Sequence, residues 1–147
     1  MMGQANKNVE TKRLFEMAEA SPKVLKKMLL TDKSFPQTLS LQDFLRNMLT
    51  EHMVSIAEVV RISLLSKTFV YQIFSGTRNP SRDMLLRVGL AMSLSIDEMQ
   101  HMLTIAHQGS LYPKIRRDAA ILCCMAQKMD LTETNEFLES ILERSLI

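Results

Sequence analysis

Apolar residues recur at helical spacing along most of the chain. Leu41, Phe44, Leu45, Met48 and Leu49 fall at i, i+3, i+4, i+7 and i+8, which predicts a helix with one buried face and Ser40 as its cap. Ile56, Val59 and Val60 place a stripe on a second, shorter helix. Its start is a capping box, Ser55 followed three residues later by Glu58. Ser66 caps a third, with Val70, Ile73 and Phe74 inward, and Gly76 suits the left-handed position past its end. Pro80 disfavours helix in the residue before it, and Ser81 starts the next helix, with Leu85, Val88, Gly89 and Met92 inward. Gly89 costs stability inside a helix unless a neighbour comes close to it. A second box, Ser95 with Glu98, opens a helix through Ile96, Met99, Met102 and Leu103 to about Ala106.

The flanks follow the same period. Before the linker TDKSFPQT (31–38), one short helix is expected over Thr11–Ala20, and a second starts at Ser21-Pro22 with Val24, Leu25, Met28 and Leu29 as its stripe. After a loop over 108–112, Pro113 is expected to open a longer helix with Ile115, Ala119, Leu122, Cys123 and Ala126 inward. Asp130–Thr132 break and cap, and Glu133–Arg144 is expected as the last helix, with Phe137, Leu138, Ile141 and Leu142 on its stripe. The expected organisation is residues 1–38 as an N-terminal helical extension, 39–108 as a core domain and 109–147 as a helix pair. That pair would pack on the core or form a dimer interface.

Composition agrees with an all-α protein. Of 147 residues 46% are apolar, with only 4 Gly and 4 Pro, too few for a turn-rich β chain. No apolar run approaches the roughly 18 residues that span a membrane, and the polar start MMGQANKNVE lacks a signal-peptide core, so a cytoplasmic, membrane-free protein is expected. Cys123 and Cys124 are adjacent and far from any other ligating cluster, which predicts reduced thiols. The net charge of +2 implies no polyanion by itself. Its distribution is more telling: from Arg61 to Met92 there are Arg61, Lys67, Arg78, Arg82 and Arg87 against Asp83 alone.

Two short helices joined by a tight turn are the helix-turn-helix pattern. Residues 41–106 resemble the lambda-repressor-like, Xre/Cro family of helix-turn-helix domains. LQDFLRNML stands as helix one, SIAEVVRIS as helix two, SKTFVYQIF as the recognition helix, and SGTRNPSRDMLLRVGLAMSLSIDEMQHML as the following linker and helices. Beyond it, LYPKIRRDAAIL and NEFLESIL look like a bacterial subgroup with an N-terminal helical extension and a C-terminal helix pair. Two positions depart from the family pattern. Val60 stands where Ala is usual, and Leu64 where the turn usually has Gly. A turn without Gly must avoid a positive φ or strain a residue there.

The resemblance implies a five-helix core and a DNA-binding transcriptional regulator working as a homodimer on double-stranded DNA, with no cofactor. Within that frame Lys67, Thr68, Phe69 and Gln72 would face the major groove. Lys67 would donate to guanine or phosphate, Gln72 would pair bidentately with adenine, Thr68 would contact either a phosphate or a thymine methyl, and Phe69 would pack on a thymine methyl. Tyr71 would reach phosphate from the edge of the helix begun by Ser66. Arg78 and Arg82 would contact the backbone, and Ser55 at its helix N-terminus would add a phosphate contact. Arg82 could instead pair with Asp83, and Arg116 and Arg117 with Asp118 and the acidic last helix. His52, His101 and His107 are scattered, so no metal site is expected, and no catalytic constellation stands out. The alternative is an adaptor that uses the same fold to bind a protein. It is favoured by the near-neutral core, Val60, Leu64 and Phe69.

Overall fold

The computed structural model describes Leu39–Ile147 together with Ser21, Pro22, Lys23 and Lys26. Helical backbone at Pro22, Lys23 and Lys26 fits the expected restart after Ser21; the helix expected over 11–20 and the apolar stripe at 24–29 lie outside the described residues. The chain divides after Thr38, and Leu39–Ile147 form one compact unit. Within it the described residues are all-helical, with seven α-helices and no strand. These are α1 Leu41–Glu51, α2 Ile56–Ser63, α3 Lys67–Ser75, α4 Arg82–Ala91, α5 Ile96–Ile105, α6 Arg116–Ala126 and α7 Leu131–Ser140. No described helix is long and apolar enough to cross a membrane.

The helix starts are set by short polar side chains. Ser40, Ser55, Ser66, Ser81 and Ser95 each sit in extended backbone, and each Oγ accepts from the N–H three residues on, at 3.1–3.3 Å. Each bond satisfies one of the donors that a helix start leaves open, worth about 1 kcal/mol. The box at Ser95 and Glu98 is complete, as is one at Asp130 and Glu133 that opens α7. At Ser55 only the forward bond forms, to the Glu58 N–H at 3.2 Å.

α4 lies at the centre. Leu85, Leu86, Val88, Gly89, Leu90 and Ala91 are all buried, and the helix packs on α2, α5 and α7. α1 packs against α3 and α5, while α6 packs against α7 and α5. Gly89 has the role its cost suggested. A Cβ there would lie 2.5 Å from both Sδ and Cε of Met99, so the end of the Met99 side chain fills the space the missing Cβ leaves between α4 and α5 and would have to move for a larger residue.

Two flanking elements differ from the sequence pattern. α6 begins at Arg116, not Pro113, because the Ile115 N–H closes a turn on the Tyr112 carbonyl at 3.0 Å. Its buried face is Asp118, Ala120, Ile121 and Cys124, whereas Ile115, Cys123 and Ala126 are exposed. The face is turned because Asp118, expected only as a partner of Arg116 and Arg117, is enclosed by an arginine from α4. α7 runs Leu131–Ser140 and stops short of Arg144. Leu142 takes a left-handed φ of 61° and is 91% exposed, so it does not extend the apolar stripe. The faces of α6 and α7 that carry Ile121, Leu131 and Leu138 are buried in this unit's own core.

Candidate nucleic-acid interface

α2 and α3 are joined by Leu64, Leu65 and Ser66. The connection turns on Leu64, which adopts φ 58°, ψ 18° and is 58% exposed, while Leu65 is buried beneath it. A left-handed residue is thus present where the sequence lacks the usual glycine, and a leucine bears the strain. Arg87 of α4 secures the corner, its Nε donating to the Ser63 carbonyl at 3.0 Å. Burial pushes the Arg87 pKa down, partly offset by Asp83, so the charge sits in a partly desolvated place.

The inner face of α3 is Val70, Ile73 and Phe74, all buried as their spacing predicts. With those three fixed, Lys67, Thr68, Tyr71, Gln72 and Ser75 line a shallow depression on the outer side. The Lys67 Nζ lies 5.8 Å over the Tyr71 ring. No acidic residue occurs between Glu58 and Asp83, so this face and its exit loop carry only positive formal charge.

The end of α3 is tied down tightly. Gly76 has φ 83°, and its Cβ position would meet the Gln42 side chain at 3.1–3.4 Å, so both conformation and space call for glycine. The Thr77 N–H returns to the Gln72 carbonyl at 3.1 Å, and Ser75 Oγ donates to the same carbonyl at 3.2 Å. The chain therefore reverses and brings Arg78 back along the helix. Its guanidinium carbon lies 3.9 Å over the Phe69 ring centroid, and its Nε donates to Gln72 Oε1 at 2.8 Å. Phe69 is consequently half-buried under a cation. The Gln72 side-chain oxygen is therefore shared with Arg78, which leaves its second lone pair and the amide Nε2 as the groups a bidentate contact would use.

Arg82 is positioned otherwise than the sequence suggested. It is the first residue of α4, and its guanidinium forms a fork on Asp118, at 3.0 Å to Oδ1 and 2.8 Å to Oδ2. Nε also donates to the Gly109 carbonyl at 2.8 Å and Nη2 to the Ser110 carbonyl at 3.0 Å. A guanidinium with this many internal partners is not free to grip a phosphate. Nor does Arg82 pair with Asp83, which instead takes the fork of Arg117 at 2.9 and 3.0 Å. Arg116 lies against α7's end, with Nη2 donating to the Ile141 carbonyl at 2.7 Å. Of the five basic residues counted around α3, Arg61, Lys67 and Arg78 remain exposed.

Ser55 is exposed at the start of α2, but Glu58 sits in the same first turn and opposes an anion there. Ser66 is exposed and occupied as the cap of α3. The sequence alone did not single out Ser75, nor the stack of Arg78 on Phe69. The available signal was Phe69 and Gln72 one turn apart on a helix, with an arginine just past the glycine stop. Comparison with family models, curated proteins and solved structures finds no match.

Proposed function

We propose that α1–α5 form a lambda-repressor-like helix-turn-helix domain, and that the chain is a sequence-specific DNA-binding transcriptional regulator with α3 as its recognition helix. The observation that carries this is the outer face of α3. Lys67, Thr68, Tyr71, Gln72 and Ser75 stand together on a helix whose other side is held by three buried residues, in an acid-free stretch. Short polar side chains and a lysine at the first turns of such a helix suit base edges, and the neighbouring cations suit phosphates. Lys67, Thr68 and Arg78 carry most of the contact in this reading, with Tyr71 and Ser66 toward the backbone. Arg82 is structural.

One such module makes few base contacts, so the working form is a homodimer on a two-fold site. The test is binding of the full chain to a random pool of double-stranded DNA, followed by titration of an enriched site against salt. A DNA reader enriches a palindromic motif and loses affinity steeply as salt rises, by about one unit of slope per phosphate contact. No enrichment, with salt-independent retention of a protein partner, would replace this reading with the adaptor. That alternative rested partly on Phe69 as an exposed apolar contact, and the Arg78 cover over its ring weakens it.

A further inference from the structure

Arg78 lies in the loop after α3, a place suited to a non-specific phosphate contact, yet its side chain is not disposed like one. The guanidinium is folded back over Phe69, the third residue of α3, with Cζ 3.9 Å from the ring centroid. Its Nε is anchored on Gln72 Oε1 at 2.8 Å, one turn further along the same helix. Gln72 is itself placed by the closed end of α3, where its carbonyl accepts from the Thr77 N–H and from Ser75 Oγ.

Three consequences follow from elementary chemistry. The cation over the aromatic face and the bond to Gln72 together restrict a side chain that otherwise has many rotamers, so less freedom is lost when it binds. With Nε engaged, the side-on edge of the fork is blocked, and the end-on pair Nη1 and Nη2 remains to donate. Two parallel N–H donors match two acceptors on one edge, as guanine presents with O6 and N7 in the major groove. Finally, the fold-back puts this edge beside the first turn of α3, the part of a recognition helix that meets bases, and not beside the loop where the residue originates.

We propose that Arg78 is a specificity-determining residue that reads a guanine in the major groove, held ready by Phe69 and Gln72. This rests on the DNA-binding reading above and names the base within it. A lysine in its place keeps the charge but has no fork, so it retains a phosphate contact and loses a bidentate one.

The experiment uses the full chain and its Arg78→Lys, Arg78→Ala and Phe69→Leu variants, each checked by thermal melting, with a random double-stranded DNA pool and then salt titration on the parent's selected site. The expected result is a parent motif with a fixed G·C pair in each half-site. Arg78→Lys then loses discrimination at that pair by about ten- to a hundredfold, keeps the other preferences, and keeps the salt slope. Phe69→Leu weakens the same preference by a smaller factor. If Arg78→Lys selects the parent's motif unchanged, or if Arg78→Ala weakens binding equally on all sequences and lowers the slope by about one, Arg78 is a phosphate contact and the proposal fails alone. If the parent enriches no sequence, the DNA-binding reading fails and takes this assignment with it.

Discussion

Leu64 shows how much strain a single backbone position can hold in this fold. Six of the seven described helices are followed by a non-glycine residue in the left-handed region: Met53, Leu64, Ser93, His107, Lys128 and Leu142, with φ of 54–61°. Among these seven, only α3 closes on glycine, at Gly76. For an L-residue that conformation costs about 1–2 kcal/mol, and a glycine there loses back about 0.5–1 kcal/mol of chain entropy. Leu64→Gly, at a side chain 58% exposed, should therefore stabilise the unit by roughly 0.5–1 kcal/mol. Leu142→Gly, 91% exposed, should do the same. A urea midpoint at or below the parent's in both variants would show that the strain is compensated elsewhere. The opposite change, Gly76→Ala, meets both a φ of 83° and the Gln42 amide, and should cost about 1–2 kcal/mol. None of the six strained positions was visible as such in the sequence, because left-handed closure is set by where the next helix must start. Only the missing glycine at Leu64 hinted at one of them.

At the scale of the element, what was legible is what local chemistry fixes. The five serine caps and the apolar stripes of α1–α5 follow from side chains within one turn of each other, and they lie where the pattern placed them. The face of α6 and the end of α7 depend on partners farther along the chain, and there the pattern misled, although Phe137, Leu138 and Ile141 of the expected α7 stripe do pack on the core. Asp118 is inward because Arg82 meets it, and Ile115 is outward because a turn ends at it. The candidate interface divides in the same way. Lys67 and Thr68 were readable from their place just after the Ser66 cap, whereas the commitment of Arg82 and the fold-back of Arg78 needed three dimensions. This difference gives a test on α3. Lys67→Ala should reduce binding to a selected DNA site by about 1–3 kcal/mol, while Arg82→Ala should act chiefly on thermal stability. Arg82→Ala weakening DNA affinity without lowering the melting temperature would return that residue to the interface.

Across the whole unit, α4 is locked to α6 by two forked ion pairs of opposite order, Arg82 with Asp118 and Asp83 with Arg117. Arg117 also donates to the Arg144 and Ser145 carbonyls, so the segment after α7 is held on the same junction. Glu98 adds a separate link, accepting from the Ser95 backbone and from His52 beyond α1. Burial alone would raise both carboxyls. For Asp118 the Arg82 fork, the Tyr112 N–H and the charge of Arg117 outweigh it; for Glu98 the bonds from Ser95 and His52 do. Both carboxyls therefore sit below the ordinary carboxylate range of about pH 4. In that window the unfolded chain binds protons that the folded chain does not, so stability is fully present above it and is lost as pH falls through the depressed values. Asp118→Asn separates the ion pair from the shape. At neutral pH it should cost about 2–3 kcal/mol, less than for a fully enclosed pair because Arg82 keeps a quarter of its side chain in water. The cost should shrink as pH falls from 5 toward 3, because the parent loses the same interaction by protonation. Urea midpoints of both proteins across that range measure the difference directly. A gap between parent and variant that stays constant down to pH 3 would mean that the Asp118 charge contributes nothing and that the carboxylate serves only as a hydrogen-bond acceptor of the right shape.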